Sequence, residues 1–332
     1  MSSILATAGR VAATSAGVLG GSLAALALAW RTAKNVREAR YLRTRTATRK
    51  APVVVITGGS SGLGAAIAVR YAARGARLVL GARGKERLEE VAGECAGVSP
   101  DREVPLVVPT DVGVEEECAA LVQAALDAHG RIDILVLSAG VGAHALFEAI
   151  DDLSVLETLM RINFMGAVYA TKAALPHLIA ARGQIVVMSS LSGEMGLPYR
   201  APYCASKFAV TGFFEALRME IDEDDVQITI VCPPSVRTAF RDNLVLDAVG
   251  SHTNATTTHS TAPHRNDNKN DKGKEDEDDT RMPLDPCVDV IMDAIDHGRR
   301  KVYFPLAAYV AVYIRPFFPE LVDWNAKRKA KL

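Results

Sequence analysis

From residue 52 onward, short apolar runs rich in β-branched residues alternate with longer stretches whose apolar positions recur at helical spacing. The segment PVVVITGGSSGLG at 52–64 predicts a buried strand and a glycine-rich turn, followed by a helix over 65–74. Further strands are predicted at 77–81, 104–109, 132–137, 184–189, 226–231 and 301–304, with helices at 85–96, 114–129, 203–223 and 286–297. The stretch 153–181, which contains Asn163, reads as one long helical region broken near Pro176, because proline has no N–H for the helix ladder. Regular strand-helix alternation predicts an α/β fold with a doubly wound parallel sheet, built as a single domain.

Three stretches depart from the alternation. Residues 11–30 carry no charge, and a helix of that length is about 30 Å long, enough to cross the hydrocarbon core of a bilayer. Arg31, Lys34, Arg37, Arg40, Arg43, Arg45, Arg49 and Lys50 follow, against Glu38 alone. Residues 1–50 are therefore expected to be an N-terminal membrane anchor with a basic flank, at the endoplasmic reticulum, with the domain that follows facing the cytosol. Moderate hydrophobicity leaves a cleaved signal peptide open, and the Arg-rich, acid-poor character also fits a mitochondrial presequence. The end Ala330-Lys331-Leu332 is similar to the S-K-L address, so the peroxisome is a further alternative.

The domain predicted at 51–249 is followed at 250–281 by a tract with almost no apolar residues, which predicts a disordered insertion (250–283) before the domain resumes at 284–305. The tail 306–332 opens with LAAYVAVYIRPFFPEL and ends basic; Arg315 and the prolines argue against a second span and for a contact with the bilayer surface.

Composition narrows the function. A formal net charge of -1 gives no reason to expect nucleic acid. Five cysteines without a C-x-x-C pair argue against a disulfide framework and for a reducing compartment, and the seven histidines show no zinc-ligand spacing, so no metal is expected.

Candidate chemistry lies in two places. The turn Thr57-Gly58-x-x-x-Gly62-x-Gly64 joins a strand to a helix N-terminus, where backbone N–H groups and the helix dipole can cradle a phosphate; Ser60, Ser61 and Leu63 belong to the same turn. The second strand then ends Leu80-Gly81-Ala82-Arg83, with no acid to hold a ribose hydroxyl and an arginine that suits a 2'-phosphate. Further along, Tyr203 and Lys207 stand one helical turn apart, and Ser190 ends a predicted strand thirteen residues before the tyrosine. A phenol with a pKa near ~10 exchanges protons poorly at neutral pH unless a positive charge favours the phenolate, which Lys207 can supply. Ser190, Tyr203 and Lys207 are expected to converge on one reacting oxygen.

With these residues goes the rest of a series in fixed order: Asp111-Val112, Ser138-Ala139-Gly140, Asn163, and a turn at 233–238 that ends in Thr238. Over about 52–305 the chain resembles the short-chain dehydrogenase/reductase family, whose sheet is a Rossmann fold. INFMGAVYATKAALPHL, YCASKFAVTGFFEALRMEI and PFFPELVDW are most similar to the membrane-associated 11-beta-hydroxysteroid dehydrogenase-like group, while TGGSSG and Pro233-Pro234 are also similar to 3-ketosphinganine reductases. Ser138 and Pro234 depart from the family's usual Asn-Ala-Gly and Pro-Gly; Pro234 stiffens its turn and removes an N–H.

The resemblance implies that Tyr203 exchanges the proton with the substrate oxygen, Lys207 lowers its pKa and binds the nicotinamide ribose, Ser190 orients that oxygen, and Asn163 supports a water-linked relay. It also implies that Asp111 meets the adenine, unless it serves as a helix N-cap, and that Thr238 meets the nicotinamide amide. The expected activity is an NADP(H)-dependent oxidoreductase that interconverts a ketone and a secondary alcohol on a hydrophobic substrate, such as a steroid, retinoid or long-chain lipid. A 3-ketosphinganine reductase-like enzyme and a non-catalytic membrane or lipid-droplet scaffold are the alternatives. Self-association as a homodimer is left open.

Overall fold

Strand β1 (Val53–Thr57) is buried along its whole length, and its alternate side chains enter two different cores. Val54 and Ile56 face one side of the sheet with Ile67 of helix α1 (Gly62–Ala72), Leu88 of α2 (Lys85–Val98) and Ile291 of α7 (Leu284–Asp296). Val55 faces the other side with Leu121 of α3 (Glu115–His129), Leu178 of α5 (Gly166–Ala181) and Phe214 of α6 (Ala201–Glu220). A strand covered by helices on both faces is apolar at every position, which is why this run shows no polar alternation.

The computed structural model describes residues 51–240, 244–247 and 281–330. Contacts group 50–295 and 299–332 into one compact unit. The expected anchor at 11–30, its basic flank, almost all of the tract at 250–281 and the last two residues lie outside the described residues. Among the described residues, no helix is long and apolar enough to cross a membrane, and no group of His, Cys, Asp or Glu could hold a metal ion.

The main sheet adds β2 (Arg77–Ala82), β3 (Leu106–Pro109), β4 (Ile134–Leu137), β6 (Gln184–Met188), β7 (Gln227–Cys232) and β9 (Lys301–Tyr303) to β1. Its order is β3-β2-β1-β4-β6-β7-β9, parallel throughout. This is the doubly wound arrangement expected from the sequence. The order reverses beside β1 and β4, so their carboxyl ends open a crevice where such sheets take ligands.

Three local features differ from expectation. Helix α1 starts at Gly62, inside the glycine-rich turn, so that turn is already helical at its end. The region 153–181 does not break at Pro176, which sits within α5. Both Pro176 and Lys172, whose carbonyl loses its helical partner, are exposed, so water can satisfy that carbonyl. The irregularity falls instead between α4 (Ser154–Leu159) and α5, as a π-helical turn over Met160–Met165 that carries Asn163. Third, β5 (Gly142–His144) and β8 (Leu244–Asp247) pair in parallel as a separate two-stranded sheet, too short to leave a periodic signal in the sequence. The tail forms α8 (Leu306–Ile314) and α9 (Pro319–Ala330).

Candidate active site

The glycine-rich turn is built by close approaches that no side chain would permit. Gly58 has φ +70, and a Cβ there would lie 2.6 Å from the Ala139 nitrogen. A Cβ on Gly64 would lie 2.2 Å from the Gly58 carbonyl oxygen. Gly58 and Gly59 both donate to the Gly81 carbonyl, at 2.8 and 3.2 Å, which ties the turn to β2. Thr57 ties it to β4: its hydroxyl donates to Val136 O at 3.5 Å and accepts from Ala139 N at 3.4 Å. The Ser61 side chain makes no cap hydrogen bond, so the first N–H groups of α1 face the crevice without a side-chain acceptor.

A cavity of about 820 Å³ runs from this turn to the end of β6. Gly58, Ser60, Ser61, Gly62 and Leu63 line it, as do Ser138, Ala139 and Gly140 at the end of β4. Thr57, Gly64 and Asn163 do not; they stand behind its wall and shape it. Ser138 fits the crowded turn, since its hydroxyl oxygen lies only 3.2 Å from where a Gly64 Cβ would be.

At one end of the cavity are Arg83, Asp111 and Val112. Asp111 is not the N-cap of α3, which is Val114; its Oδ1 accepts from Gly113 N at 2.9 Å and so closes the turn before that helix. Arg87, one turn further along than Arg83, also lines the cavity. Sequence reasoning passed over Arg87, although its distance of four residues from Arg83 was a usable signal. Thr238 faces the glycine turn from the other side, 3.5 Å from a Cβ built on Gly62, and the turn it ends is held by paired bonds between Ser235, Arg237 and Met282. Pro233 and Pro234 line the cavity beside it.

Ser190, Tyr203 and Lys207 meet at the opposite end. Burial pushes the Tyr203 phenol up to about 12, against the lowering effects of a hydrogen bond to Ser190 and of the Arg200 charge. Burial also brings the Lys207 ammonium down to about 8, opposed by Cys232. The lysine donates to Met188 O at 2.9 Å and stands 5.8 Å from the centre of the tyrosine ring. Lys207 is thus anchored to a backbone carbonyl beside the tyrosine ring, and the Arg200 charge acts on the phenol in the lowering direction.

Arg200 is aimed into the cavity by a strained residue. Tyr199 has φ +63, costly for a bulky side chain, and is held there by a bond from Ala145 N to its carbonyl at 2.9 Å and by an edge contact with the His144 ring. Asn163 is fully engaged: its Oδ1 accepts from Val141 N at 2.8 Å, and its Nδ2 donates to Val141 O and to Ser206 Oγ, both at 2.9 Å. Both amide protons are committed to the protein, so this side chain clamps the backbone after β4. Phe240, its ring centre 5.9 Å from that of Tyr203, and Leu244 of β8 roof the same end with apolar surface.

A parallel sheet with a glycine cradle at its switch point and a tyrosine-lysine pair at the far end of one cavity defines a dinucleotide-binding oxidoreductase fold. Comparison with known proteins narrows the class. The short chain dehydrogenase family model matches residues 52–248, and the chain belongs to that family, within its 11-beta-hydroxysteroid dehydrogenase-like group. An 11-beta-hydroxysteroid dehydrogenase A of Sesamum indicum is 44% identical over 182 residues, 54% of this chain and 51% of that protein, so the match spans about half of that relative's length. A dehydrogenase/reductase SDR family protein 7-like of Anopheles gambiae is 32% identical over 306 residues, 90% of this chain and 87% of that protein. Among solved structures, an alcohol dehydrogenase of Thermococcus sibiricus complexed with 5-hydroxy-NADP is similar at a TM-score of 0.55 and 28% identity, covering 59% of this chain and 81% of that one.

The family uses a nicotinamide dinucleotide, and the glycine turn, open at the N-terminus of α1, fits its pyrophosphate. Lys207, brought down to about 8, should be charged below that pH and neutral above it. Dinucleotide affinity, measured by fluorescence titration, is expected to fall as pH rises through about 8. In Lys207→Met it should be weak at every pH. A flat wild-type profile across that range would exclude a role for the lysine's charge in binding.

Proposed function

We propose that the protein is an NADP(H)-dependent oxidoreductase that interconverts a ketone and a secondary alcohol on a hydrophobic substrate such as a steroid, a retinoid or a long-chain lipid. The observation that carries this reading is the buried Tyr203 phenol, which together with Ser190 and Lys207 lines the cavity that the glycine turn opens. When bound, the dinucleotide supplies or accepts the hydride. Tyr203, held protonated by burial, is in the form needed to donate to a carbonyl oxygen. Ser190 holds that oxygen against the phenol. The Arg200 charge stabilises the phenolate left after transfer, and Lys207 is available to the nicotinamide ribose. Val141, Phe240 and Leu244 supply an apolar wall that excludes water from the exchange.

The direct test is Tyr203→Phe, which keeps the ring and removes the proton. NADPH oxidation with a panel of steroid, retinoid and long-chain ketones should fall by about 10²- to 10⁴-fold, with NADPH binding retained. Undiminished turnover would reject the mechanism, and the scaffold alternative expects that outcome.

Support for NADPH over NADH comes from Arg83 and Arg87 together. Both are exposed and line the same end of the cavity, with no carboxylate at the end of β2 to favour a ribose hydroxyl. A hydrogen bond to a charged group contributes about 1.5–3 kcal/mol. Replacing both arginines by alanine should weaken NADPH binding by about 10²-fold and leave NADH binding unchanged. Equal catalytic efficiency of the wild type with the two cofactors would count decisively against this assignment.

We also propose that the tail contacts a bilayer surface. Leu306, Phe317, Phe318 and Trp324 are all more than half exposed, and Lys327, Arg328 and Lys329 follow on α9. Exposed aromatic and aliphatic side chains beside basic ones suit an anionic lipid interface. A chain beginning at residue 51 should sediment with phosphatidylserine-containing vesicles, and Phe317→Ser with Phe318→Ser should weaken this by about tenfold or more, given the apolar area withdrawn from water. Binding that is unaffected by both changes would rule the tail out as the contact.

A further inference from the structure

Behind the turn that follows Ser190, outside the cavity, lies a cluster of ionisable side chains centred on Glu194. Its Oε1 pairs with Lys301 Nζ at 2.9 Å, and its Oε2 accepts from the Tyr303 hydroxyl at 3.0 Å. The Cys232 thiol donates to Oε1 at 3.7 Å. The Glu194 and Lys301 side chains are only 11% and 15% exposed, so the carboxylate depends on these partners for the solvation it has lost. Lys301 also pairs with Glu215 on α6, the helix that carries Tyr203 and Lys207. One carboxylate thus joins the turn after β6 to the edge strand β9, to the end of β7 and, through Lys301, to the catalytic helix.

The turn itself is rigid. Gly193 N donates to Ser190 O at 2.9 Å, and Glu194 N and Met195 N donate to Leu191 O at 3.1 and 3.0 Å. A Cβ on Gly193 would lie 2.6 Å from the Ser189 hydroxyl and 2.8 Å from the Lys207 carbonyl, so the turn is pressed against the catalytic helix with no room to shift inward. Outward movement is opposed where the turn is tied down: Leu191 N donates to Pro233 O at 3.2 Å, the Cys204 thiol to Met195 O at 3.9 Å, and Glu194 adds the charged tie. The far end of that tie is β9, which the chain reaches only after the tract at 250–281.

We propose that Glu194 is a positioning residue: anchored by Lys301 and Tyr303, it fixes the turn so that the Ser190 hydroxyl meets the Tyr203 phenol. This rests on the reading of Ser190 and Tyr203 as the proton-transfer pair. Glu194→Gln keeps the side chain's length but offers Lys301 no charge. In the full-length protein it should lower kcat for NADPH-dependent ketone reduction by about 10- to 100-fold, the scale of a small misplacement of a reacting group. NADPH affinity should stay within about twofold, because the variant leaves the glycine cradle intact.

A double-mutant cycle separates positioning from general loosening of the fold. If Glu194 acts through Ser190, then Glu194→Gln in a Ser190→Ala background should cause little further loss. An equal loss in both backgrounds, or a parallel loss of NADPH affinity, would overturn the proposal. So would wild-type kcat in Glu194→Gln. Full turnover in Ser190→Ala alone would overturn it by removing the reading beneath it, and that result is distinguishable because it needs no change at Glu194. Should Glu194→Gln fail to fold, Tyr303→Phe, which removes a single hydroxyl from the tie, carries the same comparison.

Discussion

A strand buried on both faces can present polar chemistry only at its ends, and this constraint on β1 sets the rest of the structure. Its side chains are consumed by two cores, so the chain must turn at Thr57 within a crowded space. Only glycine tolerates the resulting contacts with the ends of β2 and β4. Those contacts hold the N-terminus of α1 open over the switch point, and every other element of the site is placed relative to it.

Burial sets the protonation states at the far end of the cavity. The same loss of water raises a neutral acid and lowers a cationic one, so Tyr203 and Lys207 move in opposite directions, to about 12 and about 8. The phenol keeps its proton, the lysine donates to a backbone carbonyl, and Arg200, which enters from the strained end of a loop, adds a positive charge that acts on the phenol.

Much of this was legible in the sequence. Strand-helix alternation, the glycine turn and the Tyr203-Lys207 spacing depend on local pattern, and local pattern survives folding. The irregular turn at Asn163 was not legible, because its cause is a side chain that takes its hydrogen bonds from Val141, on another element. Pro176, the residue with the strong local signal, is harmless because its unpaired carbonyl partner faces water. Arg200 and Glu194 were missed for the same reason as Asn163: their meaning lies in what the fold brings beside them. The pairing of β5 with β8 was likewise invisible, since strands of three and four residues carry too little periodicity to register.

Val236 and Met282 form a β-bridge, reinforced by bonds from Arg237 N and Met282 N. The chain therefore leaves this turn and returns to it at the same point. Closing a loop depends only weakly on its length, so the tract at 250–281 can be shortened, extended or replaced while Thr238, Phe240 and β8, which precede it, keep their places. The turn that Val236 and Met282 secure carries Thr238, which faces Gly62 across the mouth of the dinucleotide cradle. A fluorescent reporter grafted into the tract at 250–281 would leave Thr238, Phe240 and β8 in the chain before it.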